Sequence, residues 1–587
     1  MLRECLEVFE YELKRGGEGD KLILDSYIPA DGTYLIVDKN GNPGEPIDIK
    51  LDKKTRTVNR TSPYFKKICF YDYHSQLISM NKPMDAKKVI HSNNYLSFWV
   101  KKDSVVSGKL TNDIIDGYYE VLKDPVGKKY KNSKEASQIY ELFEAEEGKA
   151  DGTSIERNKN WIKEHIFSFN DVDMEKKDYL KIFFEAEDSD FEREGRRYFL
   201  PNIYNSNDYN IVINDVVYGL PDNNLGMNAK KPFLSIKSRK YPASYLLDGN
   251  EVLFQKKFFD YLMNLVSAGK YHIYVDTERK KIIGCRSGEA PQEIESGCYL
   301  RIKKGKTEAE IWGYDNIAGY SQKLEKNFEF KNFVNAKHKL HKEYMDFYQR
   351  YDNRLQVGRL INEVFFSNWL AGNYTTDAGD ISVTDGTIKQ NILLSRDAIF
   401  AWVFKGNDVG FEKILNKVSL ELIKNTLLND NRERALWQLN LRMSFKEYFT
   451  EGGERSMGEI ITELQTNMKT KVLANTVIPL ENDQEYYYAV GQLAAYLISL
   501  SKAKDKEKNH SLLNPFLNAK SDEIIKRRLL QIYKKYNYNI PNSYKRVRNL
   551  LAMVEGYVPD GKIDQEKMIL GYASDSLIYA KEENENE

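Results

Sequence analysis

The chain has 587 residues, 41% hydrophobic and 30% charged, with 87 basic residues balanced by 87 acidic ones. That length exceeds what a single hydrophobic core organises, and the composition is that of a folded protein, which excludes a wholly disordered chain. Zero net charge excludes a global field for polyanions, so any nucleic-acid site has to come from local clustering of charge.

Other bulk features narrow the class further. Lys, Asn, Ile and Tyr (40 Tyr) are abundant; their codons are AT-rich, which points to mutational bias in the coding genome. The apolar run "YAVGQLAAYLISL", Tyr488–Leu500, is shorter than the roughly 20 residues a membrane-crossing helix needs. The segment "LRECLEVFEYELKRGG" after Met1 carries acids throughout and no small-residue cleavage site, unlike a secretory signal. A cytoplasmic protein with no membrane partner is expected. Cys5, Cys69, Cys285 and Cys298 occur without a CxxC pair, so reduced structural thiols are expected, with no metal and no cofactor.

In chain order, the first elements are of mixed type. "TYLIVDKNGNPGEPIDIKL" reads as two strands around the Asn40–Gly41 turn. "YNIVINDVVYGLP", "YHIYVDTERKKIIGC" and "YLRIKKGKTEAEIWGY" repeat that style, while "KEASQIYELFEAEEGK" and "LFQKKFFDYLMNLVSAGK" have helical spacing. Beyond about residue 330 helices dominate, with "HKEYMDFYQRYDNRLQVGRLINEVFFSNWL" and "FEKILNKVSLELIKNTLLND" both patterned as helix. After Gly452 and Gly453, Ser456 and Glu459 fit a capping box at the head of a helix with Ile460, Ile461, Leu464, Met468 and Val472 on one side. Three more follow: "QEYYYAVGQLAAYLISLSKAK", "SDEIIKRRLLQIYKKY" with Ile525, Leu529, Ile532 and Tyr536 inward, and "IPNSYKRVRNLLAMVEGY" between Pro541 and Gly556. The expected fold is α+β: a mixed α/β region over 1–330, a helical connecting region over 331–456, and a C-terminal four-helix bundle over 457–587. The acidic tail "KEENENE" reads as solvated and disordered.

Catalytic signatures are weak. "KKGKT" at Lys303–Thr307 ends like a phosphate-binding loop, but Leu300 stands where the first glycine is needed, so it reads as a hairpin tip. His338 and His341, an i, i+3 pair with Glu343 close behind, read as surface helix residues rather than a signalled metal site, and "GGEGD" at Gly16–Asp20 lacks the second acid of a nucleotide-cyclase turn. These features disfavour catalysis. The alternative is a stand-alone metal-dependent nuclease or nucleotide-processing enzyme with a dispersed active site.

Clusters of basic residues carry more. Between Ser499 and Arg548 stand thirteen Lys or Arg against four Asp or Glu. Arg527 and Lys534, and Arg528 and Lys535, are two helical turns apart and so stack on one side, joined by Lys526, Lys545, Arg546 and Arg548; Lys502, Lys504, Lys506 and Lys508 make a basic loop. Two readings fit, a solvated face and a surface that tracks phosphates. In "YGLPDNNLGMNAKKPFLSIKSRK", Asn223, Asn224 and Asn228 offer amides that donate and accept, Gly226 permits close approach, and Lys230 and Lys231 can hold phosphates. A plain Asn/Gly loop fits too. In "MDAKKVIHSNNYLSFWVKKDSV", Asn93 and Asn94 lie between Lys87/Lys88 and Lys101/Lys102, and Tyr95, Phe98 and Trp99 suit either a strand core or a stacking platform for single strands.

Together, "KKVIHSNNYLSFWVKKDS", "YGLPDNNLGMNAKKPFL", "YYYAVGQLAAYLISLSKA" and "HSLLNPFLNAK" resemble the large subunit of the type I-B CRISPR effector complex, the Csh-type Cascade large subunit, across nearly the whole chain and in the same order. Many relatives carry paired cysteines in the region matching His272–Tyr299, where Cys285 and Cys298 stand here. The resemblance implies a non-catalytic subunit that recognises the PAM in target double-stranded DNA, assists strand separation, stabilises the R-loop and recruits the helicase-nuclease. Its implied partners are crRNA, the backbone, handle-end and crRNA-processing subunits, and a small subunit. It implies a PAM probe at Asn223, Asn224, Gly226, Asn228, Lys230 and Lys231, with Asn93 and Asn94 in second place, and an unwound strand on the basic bundle face.

Relatives can also make the small subunit from an internal start. Glu451–Glu454 must be encoded GAR-GGN-GGN-GAR, which can contain the ribosome-binding sequence AAGGAGG ahead of the Met457 codon. Met457 is therefore the expected start of a separate 457–587 product; Met443 and Met468 compete, and an interdomain loop is the plain reading.

Overall fold

The computed structural model describes residues 2–17, 19–169, 172–205, 209–214, 216–222, 225, 245–305, 309–334, 345–450, 456–501, 512–541 and 544–580. They form an α+β protein. Contacts divide the chain into two compact units, Met1–Ala318 and Gly319–Glu587.

In the first unit, β1 (Gly32–Val37), β2 (Ile47–Ile49), β3 (Ser97–Lys101) and β4 (Tyr179–Phe184) make one sheet in the order β2-β1-β4-β3. The expected strand–turn–strand at Asn40–Gly41 is the antiparallel pair β1/β2, with Gly32 opposite Ile49. β1 runs parallel to β4, which needs the long crossover that residues 38–178 supply. β3 and β4 are antiparallel, with Trp99 opposite Lys181. Both faces are covered, so β1 and β4 are buried almost throughout rather than alternately. On one side the helices Phe65–His74 and Asp188–Phe199 meet through Tyr71 stacked on Phe191, ring centres 3.8 Å apart.

The hairpin β5 (Ile211–Ile213) and β6 (Val216–Tyr218) follows. A second sheet holds β7 (Lys270–Asp276), β8 (Lys281–Arg286), β10 (Gly297–Lys304) and β11 (Ala309–Ile317), in the antiparallel order β11-β10-β7-β8; β9 is the short Glu293–Ile294. "KKGKT" accordingly falls where β10 hands over to β11, with residues 306–308 outside the described set. The helix Gly249–Ser267 packs on this sheet, opened by a full capping box of Asp248 and Glu251. The helix Leu2–Arg15 reaches the same sheet, and there the Cys5 and Cys298 sulfurs lie 3.4 Å apart.

The second unit starts with a two-stranded ribbon, Lys323–Glu329 against Arg350–Asn353. The run 341–370 is patterned as helix in the sequence, and its described part is 345–370. Instead Tyr351 pairs with Phe328 in the ribbon, and Asn353 starts a shorter helix, Arg354–Val364, by accepting from the Leu355 N–H at 2.8 Å. Tertiary pairing of the aromatic strand overrides helical spacing there. Three long helices follow, Gly386–Lys405, Phe411–Leu428 and Arg432–Phe449.

The four expected bundle helices are Met457–Leu473, Asp483–Ser499, Asp522–Tyr536 and Lys545–Gly556, and a fifth, Gln565–Ala573, joins them. Ser456 Oγ accepts from the Glu459 N–H at 3.1 Å, one half of the expected capping box. The helix Asp483–Ser499 is central and packs against Asp522–Tyr536, Lys545–Gly556 and Gln565–Ala573. Its approach to the last of these is close enough to require glycine on both sides. A Cβ at Gly491 would lie 2.1 Å from Met568 O, and one at Gly571 would lie 2.1 Å from Tyr488 O. Buried Lys471 and Glu485, 2.7 Å apart, join the first two bundle helices. Across the boundary expected at 456/457, Arg442 and Lys446 of the preceding helix both reach Glu566.

Candidate nucleic-acid interface

On Asp522–Tyr536 the inward residues are Ile525, Leu529, Ile532 and Tyr536, all buried. A helix that commits that stripe to the core leaves Arg527, Lys534 and Lys535 on the opposite side, and all three are exposed. Lys545–Gly556 repeats the arrangement, burying Val547, Leu550, Met553 and Val554 and exposing Lys545 and Arg548. Both helices pack on the same central helix. Exposed cations on long flexible stems can follow a phosphate backbone without reading base edges.

Three of the expected strand-binding residues are drawn partly inward. Lys526 donates to Tyr557 O, which closes the end of Lys545–Gly556, and lies 3.2 Å from Asp522. Arg546 donates to Ile578 O and Ala580 O, tying down the segment after the fifth helix. Arg528, half-buried, donates to Gln531 at 3.2 Å. Lys526 and Arg546 thus hold the bundle's own carbonyls, and the outward charge is that of Arg527, Lys534, Lys535, Lys545 and Arg548. The loop Lys502, Lys504, Lys506 and Lys508 lies outside the described residues.

The leading PAM-probe residues Asn223, Asn224, Gly226, Asn228, Lys230 and Lys231 also lie outside the described residues, as do His338, His341 and Glu343. The second-place pair is placed in the interior. Asn93 and Asn94 are 1% and 2% exposed. The Asn93 amide donates to His74 O at 3.1 Å and Gln76 O at 2.7 Å, capping the end of Phe65–His74. Asn94 donates to Asn93 Oδ1 and accepts from the Leu96 N–H at 2.9 Å. Both amides are committed to main-chain and neighbouring groups, so as folded they present no edge to a groove. Tyr95, Phe98 and Trp99 are core residues rather than an open platform, and Lys102 is fully buried, with Asp178 at 2.8 Å and Thr33 at 2.7 Å.

Comparison with family models, with curated proteins and with solved structures finds no match to this chain. Function is therefore argued from its own residues.

One polar cluster escaped the sequence reading. Lys181 sits in the otherwise apolar β4 run "YLKIFF", and its Nζ lies 2.5 Å from Asp72 Oδ1, both side chains buried. Tyr27 donates to the other Asp72 oxygen at 2.6 Å. A lone lysine at an inward strand position was the available signal, but its carboxylate partner is 109 residues away. Among the described residues, no three His, Cys, Asp or Glu side chains converge as a metal site would require.

Proposed function

We propose that this chain is a non-catalytic, nucleic-acid-gripping subunit of a type I-B CRISPR surveillance complex. It recognises the PAM in target duplex, assists strand separation, holds the displaced strand on its C-terminal bundle and recruits the helicase-nuclease. The observation that carries this reading is the outer side of Asp522–Tyr536 and Lys545–Gly556, where five exposed cations lie opposite two fully buried apolar stripes. The resemblance of four ordered sequence stretches supplies the biological setting. In that setting guide pairing reads the target, leaving the protein a short motif and the backbone to read. The loop with Asn223, Asn224, Asn228, Lys230 and Lys231 is the proposed PAM probe, reading the degenerate minor-groove pattern. Met457 is the proposed start of a separate small subunit.

The test compares Asn228→Ala with Lys534→Ala in the assembled complex. The asparagine change is expected to weaken PAM-containing duplex selectively. The lysine change is expected to weaken all DNA alike and flatten the salt dependence by about one unit of slope. An equal loss from Asn228→Ala on PAM-free duplex contradicts the probe assignment. Metal-dependent cleavage by the purified chain contradicts the whole reading and favours the enzyme alternative.

A further inference from the structure

Within the first unit a cleft of about 660 Å³ opens between the first sheet, the helix Phe65–His74 and the helix Gly249–Ser267. Its volume falls in the range, about 300–1,000 Å³, that small organic groups occupy. The floor is the Lys181–Asp72 pair with Trp99, and the Lys181 ammonium lies 3.6 Å from the Trp99 ring centre. An ammonium carries three N–H groups, and Asp72 accounts for one. Trp99 is 6% exposed, and its indole N–H is buried without a hydrogen-bond partner. A buried donor left unmade is costly, so the floor favours a ligand that brings acceptors.

The walls are rings: Tyr27, Tyr73, Tyr179 and His91. Burial lowers the His91 pKa below its ordinary value, so at neutral pH this wall is an uncharged ring. At the mouth, Asp178 and Asp260 are matched by Lys102 at 2.8 Å and Lys256 at 2.6 Å, and Asp31 accepts from the Leu51 N–H at 2.8 Å. Lys177 and Lys304 line the same mouth and are exposed.

We infer that this cleft takes one unstacked nucleotide of a single strand, its base inside and its flanking phosphates on Lys177 and Lys304. The base supplies a planar face for the rings and carbonyl acceptors for Trp99 and Lys181, and a splayed single-stranded base carries a phosphate on each side. The inference rests on the nucleic-acid reading above and names the part of that ligand the first unit holds.

The test uses the full chain and three probes: a thymidine decamer, an abasic decamer with the same phosphates, and free thymidine monophosphate. The thymidine decamer is expected to bind at least about tenfold tighter than the abasic one. Trp99→Phe, which removes the donor and keeps a ring, is expected to lose about tenfold on the thymidine decamer and nothing on the abasic decamer. Equal affinity for the two decamers, or an unchanged Trp99→Phe, overturns the inference while leaving the basic bundle face as the strand site. Free monophosphate binding as tightly as the decamer overturns the assignment to a strand. Absence of binding to either decamer sinks this inference and the proposed function together. Should Trp99→Phe fail to fold, the surface double change Lys177→Ala, Lys304→Ala carries the test. It must weaken the thymidine decamer about tenfold, and no change overturns the inference.

Discussion

Arg442 Nε donates to Glu566 Oε2 at 2.7 Å with both side chains buried, and Lys446 Nζ donates to Oε1 of the same carboxylate at 2.9 Å. This contact fastens Arg432–Phe449 to Gln565–Ala573, the fifth bundle helix. Burial alone raises a carboxyl's pKa, but Lys446 and Arg442 outweigh it and hold Glu566 down from its ordinary 4.5 to about 2. A depressed folded pKa stabilises fully above about 4.5, and the benefit is lost as pH falls through about 2. Glu566→Ala is therefore expected to destabilise by about 3–5 kcal/mol at neutral pH. The gap from the parent chain should narrow below the ordinary carboxyl pKa in urea unfolding followed across that range. A gap unchanged at the acid end contradicts the assignment. A product beginning at Met457 lacks both cations, so in it the Glu566 pKa is expected to lie higher than in the full chain.

The crossing of Asp483–Ser499 over Gln565–Ala573 leaves no room for a methyl group. Gly491→Ala places a Cβ against Met568 O, a backbone atom that cannot swing aside. The expected cost is about 3 kcal/mol or more, since overpacking forces the helices apart. Thermal melting reads it, and Gly491→Ala melting with the parent chain contradicts the packing.

Cys5 and Cys298, far apart in sequence, hold their sulfurs 3.4 Å apart in the first unit. Diamide is expected to join them, the two thiols giving up two electrons and two protons to the diazene as one S–S bond forms. Peptide mapping of the oxidised chain checks the pairing, and Cys5→Ser abolishes it. A crosslink to Cys69 or Cys285 instead, or none, contradicts the geometry.

Asn93→Ala is expected to destabilise the first unit by about 1–3 kcal/mol, because His74 O and Gln76 O lose a buried donor. In the assembled complex, PAM-containing and PAM-free duplex should be affected alike. A selective loss on PAM duplex with unchanged melting contradicts the interior role of this amide.

Much of the fold was legible where local rules and tertiary packing agree. Strand-like runs on either side of a turn marked β7/β8 and β10/β11, and the stripe Ile525, Leu529, Ile532, Tyr536 marked both the buried and the exposed sides of its helix. Arg350–Asn353 was not legible, because its strand character comes from pairing with Lys323–Glu329. "QEKMILGYA" was missed because it is buried on several sides and so lacks a single apolar stripe. Of the candidate site, the outward cations of Asp522–Tyr536 could be named from spacing, whereas Lys526 and Arg546 are drawn inward by carbonyl partners farther along the chain. The pair Asn93–Asn94 misled because an amide that caps a helix in the interior and an amide that reads a groove edge are the same side chain. Which role it plays depends on burial. The Lys181–Asp72–Trp99 floor is likewise a product of β3 meeting β4 and Phe65–His74, three segments distant in the chain.

The most direct measurement of the central claim is purification of the tagged chain from its native host, with bound RNA and short polypeptides both identified. The account predicts a fixed-length RNA, a repeat-backbone protein and a product beginning at Met457 in the same particle, with no cleavage by the chain on its own. A chain that purifies free of RNA and cuts nucleic acid when supplied with a divalent metal contradicts it.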